Sequence, residues 1–171
     1  MNNLGLLIPH WLHLLAAMAW VGGILYINFV LLPALAPQST SVKAPLMPLL
    51  LRRFITVVWS AAGLLLLTGL DRAMRVQHLV SAAAWFETPY GRLLAIKLFF
   101  FLLLVGIAGH VTFVTYPRVR AHMPSHCNTA PGVTTECAEC RALTGALRRM
   151  MRIALLVALA VVLLAAALRM G

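Results

Sequence analysis

The sequence predicts an all-α integral membrane protein, a four-helix bundle with short loops that forms one domain over residues 1–171. Of its 171 residues, 62% are apolar and only 11% are charged, and the mean hydropathy of +0.92 lies far above that of a soluble domain. The apolar residues form four long runs, against the roughly 20 residues that one membrane crossing needs. The connections between the runs are too short and too polar to bury a separate core.

The composition also excludes several other classes of protein. The 11 Gly, 9 Pro and 3 Cys follow no period, which argues against a collagen-like repeat and a disulfide scaffold. The net charge of +10 would indicate nucleic-acid binding if the basic residues formed one surface patch. They lie instead in the gaps between the apolar runs. We therefore expect a lipid bilayer, and no nucleic acid, as the partner of this chain.

The first predicted span is Pro9 to Leu35, followed by Phe54 to Leu70, Leu93 to Tyr116 and Met150 to Leu168. We expect the first span to be retained, because no Lys or Arg precedes it and its apolar run exceeds the ~7 to 15 residues of a signal peptide. Arginines bracket the short second and fourth spans, where their side chains can reach the headgroups. Between the second and third spans, residues 76–86 are predicted to form an interfacial connector with an aromatic belt.

The distribution of Lys and Arg predicts the orientation. Nine basic residues lie in the first and third loops: Lys43, Arg52, Arg53, Arg118, Arg120, Arg141, Arg148, Arg149 and Arg152. Four lie on the other face: Arg72, Arg75, Arg92 and Arg169. The positive-inside rule then places the first and third loops in the cytoplasm. We expect a multi-pass protein of the bacterial inner membrane with both termini in the periplasm.

Four polar residues lie at similar depth near the periplasmic ends of the predicted spans, namely His10, His13, Asp71 and Lys97. One interpretation is purely topological, with interfacial histidines, a Lys97 side chain that reaches outward and an Asp71 paired with Arg72 or Lys97. The other is a ligand set for a metal or a haem, in which Lys97 is an axial ligand or the charge partner of a haem propionate. Met18 and Met74 are near enough in sequence to offer thioethers to Cu(I).

Other polar and small residues inside the spans have simpler predicted roles. We expect His110 to be a buried histidine with Asn28 as its hydrogen-bond partner, since buried polar groups usually find partners. A second metal or haem site is the alternative. Small residues should permit close helix approach, and they are Gly22, Gly23, Ser60 and Gly63.

The predicted cytoplasmic loop, about residues 117–149, contains a second constellation: His122, His126, Cys127, Cys137 and Cys140. The Cys137-Ala-Glu-Cys140 spacing, with a further Cys and two His upstream, would suit a zinc or copper site. A redox pair and a variable loop are the alternatives, because one CxxC is a common chance match. A cytoplasmic location favours reduced thiols.

Two stretches resemble a known family. Residues 11–13 (Trp-Leu-His), Trp20-Val21-Gly22-Gly23 and Tyr26 resemble the first helix of the copper resistance protein D family, and residues 88–98 resemble that family's entry into the third helix. His13, Trp20, Gly23, Tyr26 and Lys97 are also similar to a membrane-bound, haem-containing protoporphyrinogen oxidase of the HemJ type. After Tyr26, however, residues 27–30 read Ile-Asn-Phe-Val where that oxidase has a Pro-Arg segment.

The copper family implies an inner-membrane protein that handles or translocates copper, with periplasmic or cytoplasmic copper carriers as partners. The oxidase-like relatives imply b-type haem held by the residues corresponding to His13 and Lys97, with a quinone or another electron-transfer partner. The first is the leading prediction, and an oxidoreductase activity is expected only with haem. A third possibility is an accessory subunit whose Gly and Ala faces pack against a larger membrane complex.

Overall fold

A computed structural model of the chain describes residues 4–75, 88–126 and 138–170. These residues form helices joined by short turns, with no strand among them. Four helical spans are long and apolar enough to cross a membrane: Leu7–Leu35, Val42–Met74, Pro89–Met123 and Ala138–Leu168. The predicted four-helix membrane architecture is therefore confirmed. The first span packs most extensively against the second, and the third against the fourth.

The first and third spans are built alike. The first consists of α1 (Leu4–Tyr26), a π-helical segment (Ile27–Leu31) and the short α2 (Leu32–Leu35). The second is α3 (Thr40–Arg75). The third consists of α4 (Pro89–His110), a π-helical segment (Val111–Thr115) and α5 (Tyr116–His126), and the fourth is α6 (Ala138–Met170).

A proline explains each π-helical segment. Pro33 follows the first and Pro117 the second, each as the second residue of the next α-helix. Proline has no N–H to donate, and its ring clashes with the carbonyl four residues earlier. Widening the preceding turn to π geometry relieves that clash and keeps the helix continuous.

The helices extend further than the sequence predicted. The second begins at Thr40 rather than Phe54, and the fourth at Ala138 rather than Met150. Residues 117–149, predicted to be a loop, are largely helical in α5 and α6. The arginines that bracket the predicted second and fourth spans mark only the edge of the apolar layer, and a helix can continue into water beyond it. The predicted interfacial connector at residues 76–86 lies outside the described residues.

The bundle thus has two distinct ends. The end with His10, His13 and Arg72 is called the histidine end below. The opposite end, called the arginine end, carries exposed arginines: Arg52, Arg53, Arg118, Arg120, Arg141, Arg148, Arg149 and Arg152. At 1.5 Å per residue, the 36-residue α3 is about 54 Å long and exceeds a hydrocarbon core of about 30 Å.

Two clusters of buried side chains follow this division. In the middle of the bundle the core is built around Ala16, Trp20, Val58 and Ala158, with an edge-to-face contact of Trp20 and Phe101 at a centroid distance of 5.5 Å. Toward the arginine end a second cluster contains methionines from three helices: Met47, Met123 and Met151, with Met150 packed against it. Many large apolar side chains face outward, among them Phe113 with 74% of its surface exposed. An apolar exterior of this kind fits a lipid bilayer as the surrounding solvent.

Gly23 marks a tight contact between α1 and α3. A Cβ atom added to Gly23 would lie 3.0 Å from Cε2 of Phe54, whereas one added to Gly22 or Gly63 would meet no atom within 4 Å. Ser60 is exposed. The predicted close approach is therefore found at Gly23 and is wrong for the other three small residues.

Gly23→Leu is expected to destabilise the bundle by about 1–3 kcal/mol, because the new side chain would collide with the Phe54 ring. Gly22→Leu, one residue away on the open face, is the matched control and should change stability much less. Thermal unfolding of both variants in the same detergent measures the difference. Equal losses in the two variants would contradict the assignment of Gly23 to the tight contact.

Candidate functional site

The ring of His13 lies against α3, where it contacts Thr68. The Nδ1 atom of His13 is 2.8 Å from Oγ1 of Thr68, a side chain with only 8% of its surface exposed. The Thr68 hydroxyl donates its one proton to the Leu64 carbonyl, at 2.6 Å. The Thr68 oxygen therefore accepts from His13, which places a proton on Nδ1. The Nε2 atom keeps its electron pair, and this is the form of imidazole that binds metals.

Gly69 completes the support of the His13 ring. A Cβ atom added to Gly69 would lie 3.5 Å from Cε1 and 4.0 Å from Nδ1 of His13. These are ordinary contact distances, so the ring lies beside Gly69 with room for about one methyl group between them. The Thr68 hydrogen bond fixes the tautomer of His13, and Gly69 leaves a small space beside its ring.

His10 has the opposite arrangement. Its Nδ1 atom is 2.7 Å from Nη1 of Arg72, and a guanidinium can only donate. The electron pair of Nδ1 on His10 is therefore occupied, and the proton of the neutral ring is on Nε2. Although His10 and His13 were predicted together as ligands, only His13 presents an unshared electron pair in this arrangement.

Basic side chains surround His13. Lys97 on α4 and Arg72 on α3 both interact electrostatically with the His13 ring, and Arg72 interacts with Lys97. Asp71 is half-buried at the same end of α3 and already takes part in an interaction. The structure thus brings His10, His13 and Lys97 to one end of the bundle, as predicted, and adds Arg72 and Thr68.

The residue that the sequence analysis missed is Thr68. It is the one hydroxyl in the apolar stretch of residues 61–70, and a polar group inside a span is the signal that could have identified it. The sequence predicts Arg72 only as a topological marker or a partner for Asp71, whereas in the structure it contacts His10.

Comparison with known protein families decides the affiliation. A family model described as copper resistance protein D matches residues 48–168. The chain belongs to this family. The matched range contains Thr68, Arg72 and Lys97 and begins after His10 and His13. No curated protein and no solved structure matches the chain, and nothing in these comparisons supports the resemblance to the HemJ-type oxidase.

The second constellation of this copper resistance D protein lies at the arginine end and is only partly described. The Nε2 atom of His122 is 3.1 Å from Oε2 of Glu139, so a carboxylate already occupies it. Cys140 is buried and disulfide-bonded, contrary to the expected free thiol. A disulfide sulfur lacks the thiolate charge that binds a metal.

The rest of the predicted Cys/His site, namely the side chain of His126 with Cys127 and Cys137, lies outside the described residues. Within the described part of the chain, no group of three or more His, Cys, Asp or Glu is placed to hold a metal. A Cys/His centre in this copper resistance D protein therefore stays a prediction.

The remaining expectations concern His110 and two methionines. His110 is exposed, and the Asn28 amide donates to the carbonyls of Ile24 and Met151, at 2.9 and 3.0 Å. The prediction of a buried His110 bonded to Asn28 is therefore wrong, because His110 lies on the outside of the bundle and the Asn28 amide bonds the main chain. Met18 and Met74 have 59% and 47% of their surfaces exposed, so they lie on the outside of this family member's bundle.

Proposed function

We propose that this multi-pass membrane protein handles copper, and that His13 supplies the imidazole ligand at the histidine end. One observation carries the proposal. The Thr68 hydroxyl holds the proton of His13 on Nδ1, which leaves Nε2 ready to bind a metal. Membership of the copper resistance D family supports copper as the metal.

The basic side chains bear on how copper would arrive. Lys97 and Arg72 act on the His13 ring, and their positive charge repels an uncomplexed metal cation. Copper would therefore reach His13 from the donor atoms of a carrier by exchange of ligands. A copper carrier with an acidic docking surface fits this charge distribution, since opposite charge steers the encounter.

The same basic side chains favour a second candidate function, the binding of b-type haem. A haem carries two propionates, and Arg72 and Lys97 are suitable partners for such carboxylates. His13 would be the iron ligand, with Lys97 either a second ligand or a propionate partner. Bound haem would supply one-electron redox chemistry.

A visible spectrum and a metal analysis of the purified protein distinguish the two candidates. The protein is purified in mild detergent, and the dithionite-reduced minus oxidised spectrum is recorded beside the copper content of the same sample. A colourless protein with bound copper supports the leading proposal. A Soret band with α and β bands supports haem, and the absence of both copper and haem contradicts both candidates.

We also propose that the arginine end faces the cytoplasm of a bacterium and that both termini face the periplasm. The support is the excess of exposed arginines at that end, which the positive-inside rule associates with the cytoplasmic side. An alkaline phosphatase fused after Gly171 should therefore be active, and one fused after Ser39 inactive. Fluorescent-protein fusions at the same two positions should give the reverse pattern. Activity at Ser39 alone would invert the proposed orientation.

A further inference from the structure

A cleft near the arginine end has an unusual lining. It is small and is lined by leucine and isoleucine side chains together with Met47 of α3 and Met151 of α6. The two methionines are the only residues of this lining whose side chains carry a metal-donor atom. Both methionines are almost fully buried, with 4% and 3% of their surfaces exposed. Two soft and uncharged donors from different helices therefore border one apolar space.

Both π-helical segments direct a polar side chain to this part of α6. Asn28, in the first segment, donates to the carbonyl of Met151 at 3.0 Å. Thr115, in the second, donates to the sulfur of Met150 at 3.9 Å. These two contacts come from the first and third spans and reach neighbouring residues of α6, and π-helical segments often occur at functional positions.

Met151 also borders a second small cleft. This second cleft lies in the middle of the bundle, where Trp20 and Thr112 also line it. Trp20 lies about 10 Å from His13 along the axis of α1. His13, the central cleft, Met151 and the inner cleft thus follow one another along the bundle.

We infer that Met47 and Met151 form a second Cu(I) site near the arginine end, which receives the ion from the His13 end. This inference rests on the proposed copper function. Thioethers are soft ligands that suit Cu(I) and stay uncharged in an apolar space. No electron is transferred, because Cu(I) only exchanges one set of neutral ligands for another. Thr115 holds Met150 aside as a positioning neighbour, so the two ligands come from α3 and α6.

The test is an anaerobic Cu(I) titration of the full chain in detergent, in competition with a chromogenic Cu(I) chelator. It compares wild type, His13→Ala and the double variant Met47→Leu/Met151→Leu. Leucine conserves the volume of methionine and removes only the sulfur. The double variant Met18→Leu/Met74→Leu, at exposed positions, is the matched control. Circular dichroism and gel filtration confirm that each variant folds.

We expect wild type and the control to bind a second equivalent of Cu(I) that the Met47/Met151 variant lacks, and His13→Ala to lose the other equivalent. X-ray absorption of the His13→Ala sample should show sulfur ligands to copper. If the Met47/Met151 variant binds as much copper as wild type, the inner site is overturned while the proposal for His13 stands. If His13→Ala keeps full binding while the Met47/Met151 variant loses one equivalent, the proposal for His13 fails and the thioether site remains.

Discussion

His13→Ala is expected to abolish copper binding at the histidine end, whereas His10→Ala is expected to preserve most of it. The two histidines are three residues apart on α1, but their hydrogen bonds differ. Thr68 leaves Nε2 of His13 with a free electron pair, while Arg72 occupies that of Nδ1 on His10. Loss of a direct ligand should weaken binding by more than the roughly 10–100-fold that loss of an outer-shell partner causes.

The measurement is copper content per chain after purification, together with a Cu(I) titration of each variant. If the protein holds haem, the same two variants are compared by their Soret bands. His13→Ala should remove the band and His10→Ala should keep it. His10→Ala is a strict control, because it removes an imidazole of the same size from the same helix end. A larger loss of bound copper in His10→Ala than in His13→Ala would refute the assignment of Nε2 of His13 as the copper ligand.

Thr68→Val is expected to lower copper affinity by roughly 10–100-fold, as outer-shell substitutions at metal sites do. Valine has nearly the shape of threonine but cannot accept the proton on Nδ1 of His13. The ring would then lose the hydrogen bond that fixes its tautomer and could turn in the space beside Gly69. Competition titration of the purified variant against the same chelator measures the change in Kd.

Thr68→Ser keeps the hydroxyl and should retain most of the wild-type affinity. An equal loss in the serine and valine variants would indicate that the threonine methyl group, and not its hydroxyl, supports the site. Wild-type affinity in Thr68→Val would show that the His13 tautomer does not matter for binding. Thermal unfolding should change little in either variant, because membrane hydrogen bonds contribute only about 0.6–2 kcal/mol each.

The sequence was sufficient to predict the helical membrane architecture, because four long apolar runs are compatible with few other folds. It was insufficient to predict where each helix ends. Arg52 and Arg148 end the apolar pattern, but the backbone remains helical beyond them, since the cost of a helix in water is small once its neighbours pack against it. Composition marks the edge of the hydrocarbon layer, and packing decides where each helix stops.

The sequence was enough to predict residues of the candidate site, but not the hydrogen bonds that decide which of them can bind a metal. His13 and Lys97 could be selected because polar groups inside spans are rare. The difference between His10 and His13 depends on which α3 side chain each ring meets, and a single sequence does not contain that pairing. For the same reason the sequence does not predict that Asn28 bonds one main-chain carbonyl of its own span and one of α6.

The tautomer of His13 has a consequence for energy coupling. Because Nε2 carries no proton, a copper ion binds there without releasing one, so loading of the site is not tied to proton movement at this residue. Each Cu(I) ion that crossed the bundle on neutral thioether and imidazole ligands would then carry one uncompensated charge through the membrane. Such transfer is electrogenic, worth about 2.3 kcal/mol per 100 mV, and the membrane potential alone would drive the ion toward the negative side.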